Sequence, residues 1–273
     1  MKRLLFAVLV IAGWPAAAEP LGDVALERLR NARTMRLTVD QTYLYTTREN
    51  SEKKILAGFR LPYAGLARDL LEGAGVAVIE PARGESGDHD ATLEIIAHGR
   101  AIARFYDEPL EGYLYTGAEI VGDMAFSTPG AAPWHTAFRS THGPPLNVRI
   151  NLGYDRPRGA PFAEAFSGPT SFTARIMQAI GQIYGARPLI AALDNGTAPV
   201  RRHAAKVLGS VGGDGAVEAL LAAIADRDPL LRREAAWSLG RLRDKRAFDA
   251  LTMALNDSDA DVRWFAAWAL EKF

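Results

Sequence analysis

One segment of the chain recurs three times, and the spacing between its copies is constant. The copies are VRRHAAKVLG at 200–209, LRREAAWSLG at 231–240 and VRWFAAWALE at 262–271, each displaced from the one before it by 31 residues. A shorter apolar segment precedes each copy and begins at Leu189, Leu220 or Leu251. A fixed period of this length, made of two apolar segments and a turn, predicts a helical solenoid whose units are helix pairs.

The local sequence within each unit also favours two helices. In the shorter segment, Leu220, Leu221 and Ile224 have the spacing of residues on one helix face. The turn that follows carries a residue whose side chain can accept hydrogen bonds from the free N–H groups at the start of the second helix. These predicted N-cap residues are Thr197, Asp228 and Asp259.

These blocks resemble the short HEAT-like repeats that also occur in phycobilisome lyases, and the resemblance covers residues 186–273. It implies an all-α helical-repeat solenoid, an architecture widely used as a binding scaffold. The lyase relatives attach bilin pigments inside the cell, whereas this chain carries the export pattern described below, so bilin attachment is not expected of it. Because one fold serves many functions, the resemblance predicts the architecture and leaves the partner open.

The resemblance also implies a role for an arginine that recurs in every unit. In HEAT-like repeats this arginine pairs with an acidic residue of the turn between the helices, and the pairs form a ladder along the stack. The predicted structural ladder consists of Arg201, Arg232 and Arg263 with Asp226 and Asp257. Asn195 stands at the equivalent place in the first unit, so we expect a weaker rung there. The alternative is that the arginines bind an anion.

Aromatic residues are concentrated in the third unit. Trp268 matches Trp237 of the second unit, where the first unit has a lysine, and two further aromatics replace a polar Arg-Glu pair. Tryptophan is enriched in interface hot spots and also fills the edges of cores. These side chains therefore either fold back over the last core layer or form an open surface for a protein partner or a second copy of the chain. The candidate partner-binding residues are Trp237, Trp264, Phe265, Trp268 and Phe273.

The first twenty residues, MKRLLFAVLVIAGWPAAAEP, have the pattern of a cleavable export signal. Lys2 and Arg3 precede an apolar run, and small residues follow it. The run is shorter than the roughly 20 residues that a membrane-spanning helix needs. We therefore predict a signal peptide over residues 1–18, export to the periplasm or the medium, and no integral membrane segment after cleavage. The sequence has no cysteine, which excludes disulfides and a lipid-modified cysteine.

Residues 22–160 have a pattern close to period two and predict an α+β domain, in which a helix covers an antiparallel sheet. The predicted elements are a strand beginning near Met35, a helix within 61–75, a short strand at 76–80, a hairpin formed by 91–97 and 101–106 around His98-Gly99, and strands at 113–126 and 134–140. The arrangement resembles small α/β domains of bacterial envelope proteins. Residues 161–185 are predicted to be a linker followed by a docking helix that covers the first repeat.

No motif of a known catalytic or cofactor site occurs in the sequence, so we predict no catalytic residues, no bound metal and no cofactor. The 32 basic and 32 acidic residues balance, and acidic residues interrupt the arginine-rich stretch of the repeats, so nucleic acid is not an expected partner. The favoured hypothesis is an exported protein-interaction scaffold of the bacterial envelope. The competing hypothesis is a metal- or small-molecule-binding protein or enzyme with a site in the α+β domain, around His135 and Tyr113. The possible further members of that site are His142 and either Asp123 or Asp155.

Overall fold

The computed structural model describes residues 22–46, 53–79, 88–106, 112–142 and 172–273. The predicted signal peptide at 1–18 and the first part of the predicted linker lie outside these ranges. Within them, a layer of sheet and helices is followed by an all-helical region, so the predicted fold class is confirmed. None of the helices in the described ranges is long and apolar enough to span a membrane.

The sheet has six strands, ordered β2-β1-β4-β5-β6, with β3 pairing beside β1. Its strands are β1 (Thr34–Thr46), β2 (Lys53–Ile55), β3 (Ala77–Ile79), β4 (Ala91–Tyr106), β5 (Gly112–Ser127) and β6 (Trp134–His142). Strands β4, β5 and β6 are antiparallel, in agreement with the predicted antiparallel sheet. Strand β1 differs, because it runs parallel to both β3 and β4 and makes the sheet mixed.

The predicted hairpin at His98-Gly99 is wrong. Strand β4 continues through both residues, with Gly99 opposite Tyr43 of β1 and Ile120 of β5. The alternation of buried and outward-facing positions keeps its phase from Ile95 to Arg100, which a hairpin turn would break. Gly99 was therefore interpreted as a turn residue although it lies in the middle of a central strand.

Three helices cover one face of the sheet: α1 (Asp23–Asn31), α2 (Tyr63–Gly73) and α3 (Phe172–Tyr184). Buried side chains of α2 and α3 share a core with the inward-facing residues of β1, β4 and β5. Phe172 at the start of α3 stacks on Phe138 of β6 and meets Tyr63 of α2 edge to face. Helix α3 is the segment predicted to dock on the repeats, and its buried Ile176, Ile180 and Ile183 lie in this shared core.

The repeat region consists of three helix pairs: α4 (Arg187–Asn195) with α5 (Ala198–Val211), α6 (Ala216–Ala223) with α7 (Pro229–Leu242), and α8 (Phe248–Ala254) with α9 (Ala260–Leu270). A short 3₁₀ turn at Lys245–Ala247 precedes α8. Asp228 and Asp259 cap the second helices through their side chains, whereas Thr197 makes no side-chain cap bond. The inner end of the stack is covered, because Gly73 of α2 and Gly181 of α3 lie against residues of α4.

Neighbouring second helices approach closely at two glycines. A Cβ at Gly209 would lie 2.6 Å from the Cβ of Ser238, and one at Gly240 would lie 2.6 Å from the Cβ of Ala269. These glycines therefore set the distance between α5 and α7 and between α7 and α9. The equivalent position of the third pair is occupied by Glu271.

Candidate interaction surface

The recurring arginines join neighbouring helix pairs. The Nη2 of Arg201 donates to Asp226 at 2.6 Å. Arg232 makes a two-pronged contact with Asp257, with its Nε and Nη2 at 2.8 and 2.7 Å from the two carboxylate oxygens. The same guanidinium also donates to the carbonyl oxygen of Asp226, 2.9 Å away in its own turn. The rungs of Arg201 and Arg232 thus tie one unit to the next.

Arg201 and Arg232 each form an ion pair with the turn of the following unit and not with the turn of their own unit, and this changes the expected strength of the rungs. The reason expected for a weaker first rung is wrong, because Arg201 reaches forward to Asp226 and does not depend on Asn195. The first rung is still weaker than the second, because its ion pair is more exposed and makes one contact with the carboxylate where Arg232 makes two. The third rung differs from the other two in its partners. Arg263 donates to the carbonyl oxygens of Asp257 and Ser258, and no carboxylate in the described part of the chain pairs with it.

The ladder makes the stability of the stack depend on pH. Hydrogen bonds from the Arg232 guanidinium hold the pKa of Asp257 below its usual range, and the backbone N–H of Asp228 together with Arg201 lowers the pKa of Asp226. A carboxylate with a lowered folded-state pKa stabilises the protein fully above its unfolded pKa of about 4 and loses that contribution as the pH falls through the folded pKa. We therefore expect the melting temperature to decrease as the pH is lowered below about 4. Asp257→Asn should flatten this dependence, and Glu94→Gln, on the exposed sheet face, should not.

Three further arginines of the repeats are also paired with acidic side chains. Arg202 donates to Asp228 at 2.6 Å, Arg233 to Glu234 at 2.7 Å, and Arg246 pairs with Asp244 and Glu218. Because acidic partners hold these guanidinium groups, the arginine-rich stretch forms a mixed-charge face and not a continuous basic stripe.

The outer surface of the third helix pair is apolar. We define this outer surface by Phe248, Leu255, Trp264, Ala267 and Phe273, all of which are exposed. Phe248 is 50% exposed, whereas its equivalent Val217 is 7% exposed. Leu255 is 38% exposed, whereas its equivalent Ile224 is 8% exposed. The positions that the next unit covers earlier in the stack are therefore open here.

Four of the five candidate aromatic residues fall into two groups. Phe265 and Trp268 are partly buried and pack against the core, with the Trp268 ring close to Gly240 of the preceding unit. Trp264 and Phe273 are 61% and 42% exposed. Two of these aromatics therefore fold back on the core, and two are exposed on the outer surface.

Trp264 and Trp237 have different surroundings. Trp264 takes the position of Arg202 and Arg233, which reach forward to acidic residues of the next unit at 2.6 and 3.8 Å. Trp237 is half-buried beneath the guanidinium of Arg241, 4.9 Å from the ring centre. The outer surface thus has an indole where the earlier units have an ion pair, and Trp237 lies outside it.

A family model described as HEAT repeats matches residues 186–271. This region of the chain is a stack of HEAT repeats. HEAT repeats commonly mediate protein interactions, and each repeat contacts only its neighbours. The outer surface defined above lies on the side of the third repeat that faces away from the second.

Comparisons with whole proteins found only weak similarities. No curated protein matches the chain. Among solved structures, human deoxyhypusine hydroxylase in complex with glycerol is 26% identical, with a TM-score of 0.34, and the match covers 42% of this chain and 39% of the hydroxylase. Rare lipoprotein B from Shewanella oneidensis is 15% identical, with a TM-score of 0.23, and the match covers 54% of this chain and 89% of the lipoprotein. Similarities this weak carry no argument about function.

The competing site in the α+β region, away from the HEAT repeats, is an exposed pair. The Nδ1 of His135 on β6 lies 2.7 Å from a carboxylate oxygen of Asp123 on β5, and both side chains project from the sheet face opposite the helices. The side chains of Tyr113 and His142, and the whole of Asp155, lie outside the described residues. Among those described, no three His, Asp or Glu side chains are grouped to hold a metal ion.

Proposed function

We propose that this chain is a protein-interaction scaffold and that its HEAT repeats bind a protein partner at the outer surface of the third repeat. The observation that carries the proposal is the contrast between equivalent positions. Where the earlier repeats have Val217 and Ile224 covered by the next unit, the third has Phe248 and Leu255 uncovered. Replacing small or charged residues by exposed aromatics adds apolar surface that water solvates poorly.

The composition of the surface supports a protein as the occupant. Aromatic side chains that are exposed in the free protein are the typical anchors of protein interfaces, surrounded by polar groups that form the rim. Here Trp264 meets Phe265 edge to face, and Phe273 meets Phe248 in the same way, so each exposed ring is held by a neighbour. Rings held in this way lose little rotamer freedom on binding.

We further propose that the scaffold works in the bacterial envelope. The support is the export pattern of residues 1–20 and the absence of cysteine, which leaves stability to ordinary packed cores. Sequencing the N-terminus of the protein recovered from an envelope fraction tests this part. A mature chain that still begins at Met1 would contradict it.

The binding proposal predicts a loss of partner capture on truncating the outer surface. Trp264→Ala with Phe273→Ala removes two exposed rings and leaves the packed Phe265 and Trp268 in place. A hot-spot loss of about 2 kcal/mol corresponds to about 30-fold weaker binding. Quantitative capture from an envelope extract of the native host, with the bound proteins identified by mass spectrometry, measures this.

The matched control for this experiment is Ile55→Ala on β2. Ile55 is also an exposed large apolar residue, 64% exposed, and it lies in the sheet region away from the third repeat. We expect the control to bind the same proteins as the unaltered chain. Equal binding by the Trp264→Ala, Phe273→Ala variant would contradict the proposed function.

A further inference from the structure

The identity of the occupant follows from three features of helix α9, and this inference rests on the proposed function of the outer surface. We propose that the surface binds a second copy of this chain around a two-fold axis. In this dimer the two α9 helices run antiparallel and cross at Ala267. A two-fold interface uses the same patch on both copies, so the patch must be complementary to itself.

The first feature excludes another repeat stacked in the same way. Gly209 and Gly240 allow the next second helix to approach until a Cβ would collide with it. The third repeat has Glu271 at this position. A glutamate side chain there blocks an approach at that distance and along that line. The occupant of the outer surface must therefore cross α9 differently from the way α9 crosses α7.

The second feature is a small residue at the centre of the exposed stripe. Ala205 and Ala236 lie under the following helix of the stack and are fully buried. Their equivalent, Ala267, is exposed. Alanine lets two helix axes come close together, so Ala267 is the place on α9 where another helix can pack most tightly.

The third feature is the charge on either side of Ala267. Arg263 lies four residues before it and Glu271 four residues after it, which places each about 6 Å from Ala267 along the helix axis. In an antiparallel pair centred on Ala267, Arg263 of each copy faces Glu271 of the other. Arg263 has no carboxylate partner among the described residues, so it is available for this pairing.

The apolar part of the outer surface completes the interface. Trp264 follows Arg263 on α9, Phe248 begins α8 and Leu255 follows its last residue. The two-fold axis brings the apolar side chains of both copies together. The result is an apolar centre with an ion pair at each end, the arrangement expected of a stable interface. The Arg263–Glu271 pairs fix the antiparallel direction, because a parallel pair would place like charges together.

Charge reversal tests the dimer. Sedimentation equilibrium of the full chain should show a dimer, and Arg263→Glu or Glu271→Arg alone should weaken it by about 10- to 100-fold, since each creates two like-charge contacts. The double variant Arg263→Glu, Glu271→Arg should restore the dimer. Arg227→Glu, an exposed charge change elsewhere on the repeats, should leave it unchanged. High salt should reduce the differences between the variants.

Two outcomes would overturn the inference. One is a monomer at every concentration, and the other is a dimer that neither single reversal weakens. The capture experiment separates this inference from the proposed function. If the protein is monomeric and Trp264→Ala still abolishes capture of another protein, the surface binds a different protein and only the second-copy inference fails. If the chain neither dimerises nor captures a protein through Trp264, both fail.

Discussion

Arg232→Met is expected to lower the free energy of unfolding of the HEAT repeats by about 3 kcal/mol, the cost of breaking a largely buried ion pair by removing one partner. The Arg232 and Asp257 side chains are each 13% exposed. The variant leaves Asp257 without its two-pronged donor and also frees the carbonyl oxygen of Asp226. Urea unfolding followed by circular dichroism, at a concentration low enough to keep the protein monomeric, measures the loss.

The other two rungs are the matched controls for Arg232. Arg201 and Asp226 are more exposed, at 30% and 20%, so Arg201→Met should cost about 1 kcal/mol. Arg263→Met removes bonds to two carbonyl oxygens of an exposed turn and should cost less than about 1 kcal/mol. Equal losses at all three positions would contradict a ladder that runs from each repeat to the next.

Gly122→Ala is expected to destabilise the α+β region by about 3 kcal/mol or more, because overpacking here has no room for relaxation. A Cβ at this position of β5 would lie 2.1 Å from the carbonyl oxygen of Ile96 and 2.4 Å from the Phe138 ring. The first neighbour is backbone of the adjacent strand, and the second is stacked against Phe172 of α3. Thermal unfolding and soluble yield measure the effect.

Gly65→Ala is the control for Gly122. Gly65 lies in α2, and a Cβ there would have no heavy atom within 4 Å. Alanine is the better helix former, so this change should stabilise the protein by up to about 1 kcal/mol. If both glycine variants have the same stability, α3 is not seated on the sheet as described.

The repeat region could be predicted from the sequence because its information is local and is repeated three times. The fixed period identifies equivalent residues, and apolar spacing and N-cap residues such as Asp228 and Asp259 locate the helices. The period does not say which neighbour a long side chain reaches. Arg201 was therefore predicted to depend on Asn195, when it extends into the next repeat.

The sheet was predicted less well because pairing is not local. The strands β5 and β6 were recognised from their alternation, but the parallel pairing of β1 with β4 depends on a crossover through α2 and β3. Gly99 was also misread, because it pairs with both β1 and β5 in the middle of a strand and not at a turn. The unbroken phase of alternation across His98 was the signal that could have corrected this.

The candidate surface was found in part. Five aromatic residues were predicted for partner binding from their positions in the repeat. The structure divides these residues according to whether each ring packs on the core or is exposed. Phe248 and Leu255 were missed, although each is the equivalent of a residue that the stack buries, Val217 or Ile224. Comparing every position of the last repeat with its equivalents would have found them.

Site-specific photocrosslinking in cells tests whether the outer surface of the third HEAT repeat contacts a protein in the native setting. A photoreactive phenylalanine analogue is placed at Trp264 in one sample and at Ile55 in another, and both are irradiated in cells that express the chain. We expect a discrete crosslinked protein at Trp264, another copy of this chain or a different protein, and none at Ile55. Irradiated samples with no product at Trp264, or with the same product at both positions, would contradict the proposed function.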